Sequence, residues 1–94
     1  MRSITFTFDV IEEDASLIVE VVKEMKSFWE SQGFQVSLHQ DVTRRTRFVQ
    51  TFMTEKTVDD LTSLIQKDAK VQAIFERIKK SDSRVLVSVM EQIV

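Results

Sequence analysis

The residue best suited to acid–base chemistry is His39, the only histidine in this 94-residue chain. An imidazole can act as a general base or can donate a hydrogen bond to a ligand. His39 falls in the middle of a predicted strand near Ser37, with Thr51 expected across the sheet, and both hydroxyls are candidate ligand contacts. The alternative is that His39 is a hydrogen-bonded polar residue inside a subunit interface. This alternative is favoured because the sequence places no catalytic partner beside this lone histidine.

Trp29 is a further candidate for ligand binding. It lies with Phe28 on the apolar stripe of the first predicted helix, where a large aromatic ring can line a cavity. The alternative is core packing, the common role of an aromatic residue at helical spacing.

Composition excludes several other chemistries. The absence of cysteine excludes disulfides, thiolate zinc sites and cysteine nucleophiles, and one histidine excludes a multi-histidine metal site. A net charge of −2 argues against nucleic-acid binding, and no apolar stretch predicts a membrane span. We therefore expect a cytoplasmic protein without a metal or a bound cofactor. Arg44, Arg45 and Arg47 form the one basic cluster, which could hold an anion or could be a solvated hairpin tip.

Hydrophobic periodicity predicts the order strand, helix, strand, strand, helix, strand. Period-two alternation marks strands at 4–10, 35–42, 47–54 and 84–90. A helical stripe over 15–32, with Asp14 as a candidate N-cap, ends at Gly33, the only glycine. The second helical region starts at Thr57 and carries two stripes offset by roughly 90°, which predicts a break near Asp68. The order implies a ferredoxin-like α+β sandwich, one domain over residues 1–94, with both helices on one face of an antiparallel sheet.

Alternation along the strands assigns two faces to this sheet. The face expected to receive the helices comprises Ile4, Phe6, Phe8, Val36, Leu38, Phe48, Phe52, Val85, Val87 and Val89. The opposite face comprises Thr5, Thr7, Ser37, His39, Val49, Thr51, Met53, Leu86, Ser88 and Met90. Charged residues are absent from the middle of this second face, although a solvated antiparallel face is normally polar. This predicts that a second copy covers it; the alternative is a solvated face in which threonine reflects strand preference.

The chain resembles members of the dimeric α+β barrel superfamily, which includes the antibiotic-biosynthesis-monooxygenase-like domains. The resemblance rests on length, element order and the broken second helix, LIQKDAKVQAIF at 64–75. It implies a homodimer whose two sheets form a barrel, with a pocket between sheet and helices in each subunit. Haem-binding relatives use a helix or loop histidine, which this chain lacks. The asparagine of the oxygenase pocket set is also absent.

Two functions fit these expectations, and the fold alone does not choose between them. The first is a homodimer that binds a small apolar or aromatic molecule. His39 would be its catalytic residue and Trp29, Ser37 and Thr51 its ligand contacts, with cofactor-independent, monooxygenase-like turnover as its enzymatic form. The second is a non-enzymatic dimeric interaction or regulatory module whose interior is packed solid.

Overall fold

The computed structural model describes residues 1–94 and contains four strands, three α-helices and one 3₁₀ turn. In chain order these are β1 (Arg2–Asp9), a 3₁₀ turn (Glu12–Asp14), α1 (Ala15–Ser31), β2 (Gln35–Gln40), β3 (Arg47–Thr54), α2 (Val58–Lys67), α3 (Ala69–Lys80) and β4 (Leu86–Glu91). The strands form one antiparallel sheet in the order β2-β3-β1-β4. The ferredoxin-like α+β fold is therefore confirmed.

The predicted break in the second helical region lies at Asp68, between α2 and α3. Asp68 has an extended backbone, and its carboxylate accepts hydrogen bonds from the Lys70 and Val71 N–H groups at the start of α3. α2 begins with a capping box in which Thr57 and Asp60 satisfy each other's backbone N–H groups. None of the three α-helices combines the length and the apolar composition that crossing a membrane requires.

Three strands have bounds that differ from prediction. β1 spans 2–9 rather than 4–10, and the other two differ where side chains take over from strand pairing. β2 ends at Gln40 rather than at 42, since the Asp41 carboxylate accepts hydrogen bonds from the next turn. β4 begins at Leu86 rather than at 84. The segment before it is held to the end of β1 by Ser81, whose hydroxyl donates to the Asp9 carbonyl, and by Ser83, whose hydroxyl accepts from the Asp9 N–H.

The helices pack on the predicted apolar face, but the core there consists of two clusters. One cluster contains Ile4, Met25, Trp29, Phe34, Phe52, Leu61 and Val71. The other contains Phe8, Val10, Ile18, Val22, Phe48, Ile74 and Ile78. Phe6 and Phe75 are only partly buried and pack against both clusters. The boundary between the clusters therefore crosses the middle of the sheet.

One part of the predicted helix-bearing face is wrong. Val87 and Val89 point toward the helix side of β4, yet their side chains are 56% and 48% exposed. Val85 does pack against the second cluster. The helices thus cover β1, β2, β3 and the start of the β4 segment and leave the rest of the inner face of β4 open.

Candidate functional site

His39 lies on the exposed outer face of β2, an edge strand of the sheet. Its imidazole makes no hydrogen bond with the protein. The strand register pairs His39 with Val49, so the expectation that His39 lies across from Thr51 is wrong. Ser37 is the residue that pairs with Thr51. The prediction was wrong because the six-residue connection between β2 and β3 sets the register of the two strands. The length of this connection cannot be deduced from alternation.

A row of hydroxyl side chains crosses the middle of this outer face. Ser37, Thr51, Thr5 and Ser88 are register partners on four adjacent strands. The Thr5 and Thr51 hydroxyl oxygens are 3.4 Å apart and share a hydrogen bond. The row carries no titratable group, and all four of its side chains are small.

Trp29 lies on the opposite side of the sheet, so the four candidate residues fall into two groups. The Trp29 side chain is 1% exposed, and its ring centroid is 5.0 Å from that of Phe52 and 5.8 Å from that of Phe34, both edge-on. These contacts make Trp29 a core residue. His39, Ser37 and Thr51 share the outer face, and within one subunit the sheet itself separates them from Trp29.

A cavity of about 30 Å³ lies beside Trp29, between the sheet and the helices. Its wall consists of side chains from β1, α1, β3, the end of α2, α3 and Val85, and twelve of the thirteen wall residues are hydrophobic. Both core clusters contribute to it, so the cavity marks their boundary. No titratable side chain lines the cavity.

Gln50, the thirteenth wall residue, is the functional candidate that the sequence prediction missed. It is 9% exposed, it points inward from the middle of β3, and its amide makes no hydrogen bond with the protein. Phe48 and Phe52 flank it on the same face and belong to different core clusters. The sequence does contain a signal for Gln50, namely a polar residue at an inward-facing position between two inward-facing phenylalanines. An apolar residue at this position would have joined the two clusters.

The other two buried polar residues have partners within the protein, although Asp14 Oδ2 makes no hydrogen bond and has only Lys80 Nζ at 4.0 Å. The Thr54 hydroxyl donates to the Gly33 carbonyl and accepts from the Lys56 N–H. Asp14, 5% exposed, forms an ion pair with Arg77 at 3.2 Å. Asp14 occupies the predicted N-cap position but makes no capping hydrogen bond, because its carboxylate points to α3. The pair fastens the C-terminal end of α3 to the start of α1.

The basic cluster is neutralised within the hairpin region. Arg47 makes two hydrogen bonds of 3.1 Å to Asp9, which raise the pKa of Arg47, and Arg44 lies 3.4 Å from the same carboxylate. Backbone N–H groups of Arg44 and Thr43 donate to Asp41 and hold the pKa of that carboxyl below its ordinary value. Two of the three arginines therefore already have a carboxylate partner. No group of three or more His, Asp or Glu side chains is placed to hold a metal ion.

Comparison with known proteins identifies relatives in fold. No protein-family model matches the chain, and no curated protein sequence matches it significantly. A candidate antibiotic biosynthesis monooxygenase from Nitrosomonas europaea superposes with a TM-score of 0.75 at 13% identity, covering 100% of both chains. A candidate enzyme of the same description from Bordetella bronchiseptica gives a TM-score of 0.73 at 14% identity, covering 99% of this chain and 97% of the other.

A third solved structure carries a different description. It is a dimeric ferredoxin-like protein from an uncultured marine organism, with a TM-score of 0.72 at 14% identity and coverage of 99% of this chain and 95% of the other. Identities this low establish a shared fold and nothing finer. The ferredoxin-like fold that these proteins share is thereby confirmed for this chain.

Proposed function

We propose that this chain forms a homodimeric α+β barrel and that each subunit binds a small, mostly apolar molecule between sheet and helices. The unpartnered amide of Gln50 in an otherwise apolar cavity carries the proposal. The side chain is nine-tenths buried, but its amide atoms keep some contact with solvent, since the one fully buried side-chain atom without a hydrogen bond is Asp14 Oδ2. A ligand that enters the cavity displaces this solvent, and because buried polar groups in proteins nearly always have partners, it must supply a hydrogen bond to Gln50.

The cavity must widen to admit an organic molecule, because about 30 Å³ holds only one or two water molecules. Ion pairing with Asp14 fastens the C-terminal end of α3. The first half of α3 follows the break at Asp68. Val71 and Ile74 pack in the core, but the ion pair that links this segment to α1, Lys70–Glu24 at 3.5 Å, is exposed. Exposed pairs of this kind contribute little to stability. In this proposal the first half of α3 moves outward, and Trp29 contacts the ligand.

A cavity-filling substitution tests this site. Ile74→Phe places a larger side chain in the cavity wall, whereas Ala73→Phe, on the exposed side of the same helix, leaves the cavity unchanged. A panel of small neutral organic compounds should raise the melting temperature of the wild type and of Ala73→Phe but not of Ile74→Phe. Equal stabilisation of all three proteins would place the compounds elsewhere and overturn the site.

The outer face supports the homodimer. Leu86 and Met90 are 64% and 65% exposed in the isolated subunit, and Met53 is exposed beside them. Together with the central row of hydroxyls they form a surface without mid-strand charges, which is unusual for a face in water. A second copy presents the same uncharged surface, so two faces can meet without burying an unpaired ion. In this arrangement His39, Ser37 and Thr51 belong to the dimer interior.

A charge at the centre of the outer face tests the dimer. Thr51→Lys in both copies brings like charges together across the interface, which costs several kcal/mol. Ser63→Lys adds the same charge to an exposed position of α2 and serves as the control. Light scattering should give a dimer for wild type and Ser63→Lys and a folded monomer for Thr51→Lys. A wild type that is monomeric at millimolar concentration would overturn the homodimer.

Binding is better supported than turnover, because no acid, base or nucleophile lines the cavity. Monooxygenase-like turnover, suggested by the names of the neighbours in fold, would have to draw on the reactivity of the substrate itself. The non-enzymatic alternative is a dimer that binds its ligand as a regulatory or interaction module. Oxygen consumption measured with a compound that binds the cavity separates the two, since only the enzyme consumes oxygen in proportion to bound compound.

A further inference from the structure

We infer that Gln50 makes the cavity selective for neutral molecules that carry one hydrogen-bonding group, a hydroxyl or a ketone, on an otherwise apolar body. The inference rests on the proposed ligand site and adds the chemical class of the ligand. It assigns to Gln50 the role of a specificity-determining residue.

The wall chemistry leaves one place in the cavity where a polar group of the ligand can be paired, namely beside Gln50. Twelve wall residues are hydrophobic, so they offer no hydrogen bond to a second polar group. The Gln50 amide has two N–H donors and a carbonyl acceptor, and it can therefore pair with either a hydroxyl or a ketone. A ligand with further polar groups would bury them without partners.

The wall chemistry also excludes ions. No Lys, Arg or His lines the cavity to compensate a carboxylate, and no Asp or Glu lines it to compensate an ammonium group. An ion transferred there would lose its hydration without gaining a counter-charge. Acids and amines that are ionised at neutral pH are thus rejected, whatever the shape of their apolar part.

The position of Gln50 distinguishes it from the polar residues that stabilise the fold. Thr54 and Asp14 are buried as deeply, and both are bound by other parts of the chain. Gln40, another inward-facing glutamine of the sheet, donates its amide N–H to the Arg45 carbonyl at 2.6 Å. Gln50 alone among these lacks a protein partner and points into a cavity, so its hydrogen-bonding capacity remains available to a ligand.

A matched pair of compounds tests the inference directly. Cyclohexanol and methylcyclohexane have similar shapes and differ by a hydroxyl in place of a methyl group, and cyclohexanecarboxylate adds the ionised case. Trp29 is the only tryptophan, the chain has no tyrosine, and Trp29 lines the cavity. Its fluorescence therefore reports occupancy of this site during titration with each compound.

The expected result is a preference for the alcohol that depends on Gln50. Gln50→Met keeps an unbranched side chain and removes the hydrogen-bonding groups, so the ratio of the alcohol and hydrocarbon affinities should fall about tenfold. Gln40→Met makes the same change at a partnered glutamine outside the cavity and should keep the wild-type ratio. Cyclohexanecarboxylate should leave the fluorescence of all three proteins unchanged.

Two contrary outcomes have different meanings. An unchanged affinity ratio in Gln50→Met, with both compounds still bound, would overturn the role of Gln50 and leave the ligand site standing. Wild-type fluorescence that responds to neither the alcohol nor the hydrocarbon would overturn the ligand site itself. Gln50→Leu, branched and shorter, repeats the comparison with a different cavity shape, so that a change in volume is not mistaken for the loss of a hydrogen bond.

Discussion

On the two faces of the same sheet, different groups are left without a contact in the isolated subunit. The inner face is closed by helices and contains one amide, that of Gln50, without a partner in an apolar core. The outer face is open and presents hydroxyls, an imidazole and apolar side chains without mid-strand charges. A small molecule can satisfy a single buried amide, whereas a surface that spans four strands requires a partner of similar extent. The proposed function accordingly assigns a separate binding event to each face of the sheet.

This separation determines how substitutions should behave. A change on the inner face alters the packing of the isolated subunit and the cavity, so it should appear in unfolding and in ligand binding. A change on the outer face alters side chains that are exposed or half-buried in the isolated subunit, so it should appear in association. A residue whose substitution changed both the unfolding of the isolated subunit and its association would contradict the comparison.

The largest effect is expected at Trp29 on the inner face. Trp29→Ala removes a ring that packs between Phe34 and Phe52 and should lower the free energy of unfolding by about 3–5 kcal/mol. Phe28→Ala is the control, because Phe28 precedes it in α1 and is 38% exposed. Urea unfolding followed by circular dichroism measures both. Similar losses in the two variants would show that burial on this face does not dominate stability.

A smaller effect of opposite sign is expected at Gln50. Gln50→Met replaces an unpartnered amide with an apolar side chain of similar length and should raise the free energy of unfolding by about 1 kcal/mol. The same unfolding experiment, without ligand, measures it, and Gln40→Met should instead be neutral or destabilising because Gln40 loses its bond to Arg45. Destabilisation by Gln50→Met would mean that the amide already contributes to the fold, and its availability to a ligand would be refuted.

Alternation predicts which side chains face inward and which face outward. It predicts neither the significance of Gln50 nor the division of the core into two clusters. Period two in β3 correctly placed Phe48 and Phe52 inward and Thr51 outward. The same alternation places Gln50 inward, yet a search for apolar residues passes over it. The split of the core at this residue emerges only when α1 and α3 are placed over the sheet, because the cluster boundaries depend on helix position.

Capping was predictable at the starts of α2 and α3, whereas the expected N-cap at Asp14 was wrong and the long-range coverage of the sheet was not predictable. The break at Asp68 and the capping box at Thr57 depend on residues within three positions, so sequence alone predicts them. The exposure of Val87 and Val89 depends on how far α3 extends across the sheet, which periodicity does not encode. The side of the sheet that these two side chains face could be predicted from the sequence, and their burial could not.

The smallest effect is expected for substitution of His39, on the outer face. His39→Ala removes an imidazole that is exposed in the isolated subunit and has no hydrogen bond with the protein, so the free energy of unfolding of the isolated subunit should change by less than about 0.5 kcal/mol. Because the sheet lies between His39 and the cavity of its own subunit, cyclohexanol affinity measured through Trp29 should also stay unchanged. Ser37→Ala, on the same strand and face, is the matched control. Loss of cyclohexanol binding in His39→Ala but not in Ser37→Ala would show that the imidazole reaches a ligand, and the assignment of small-molecule binding to the inner face alone would have to be abandoned.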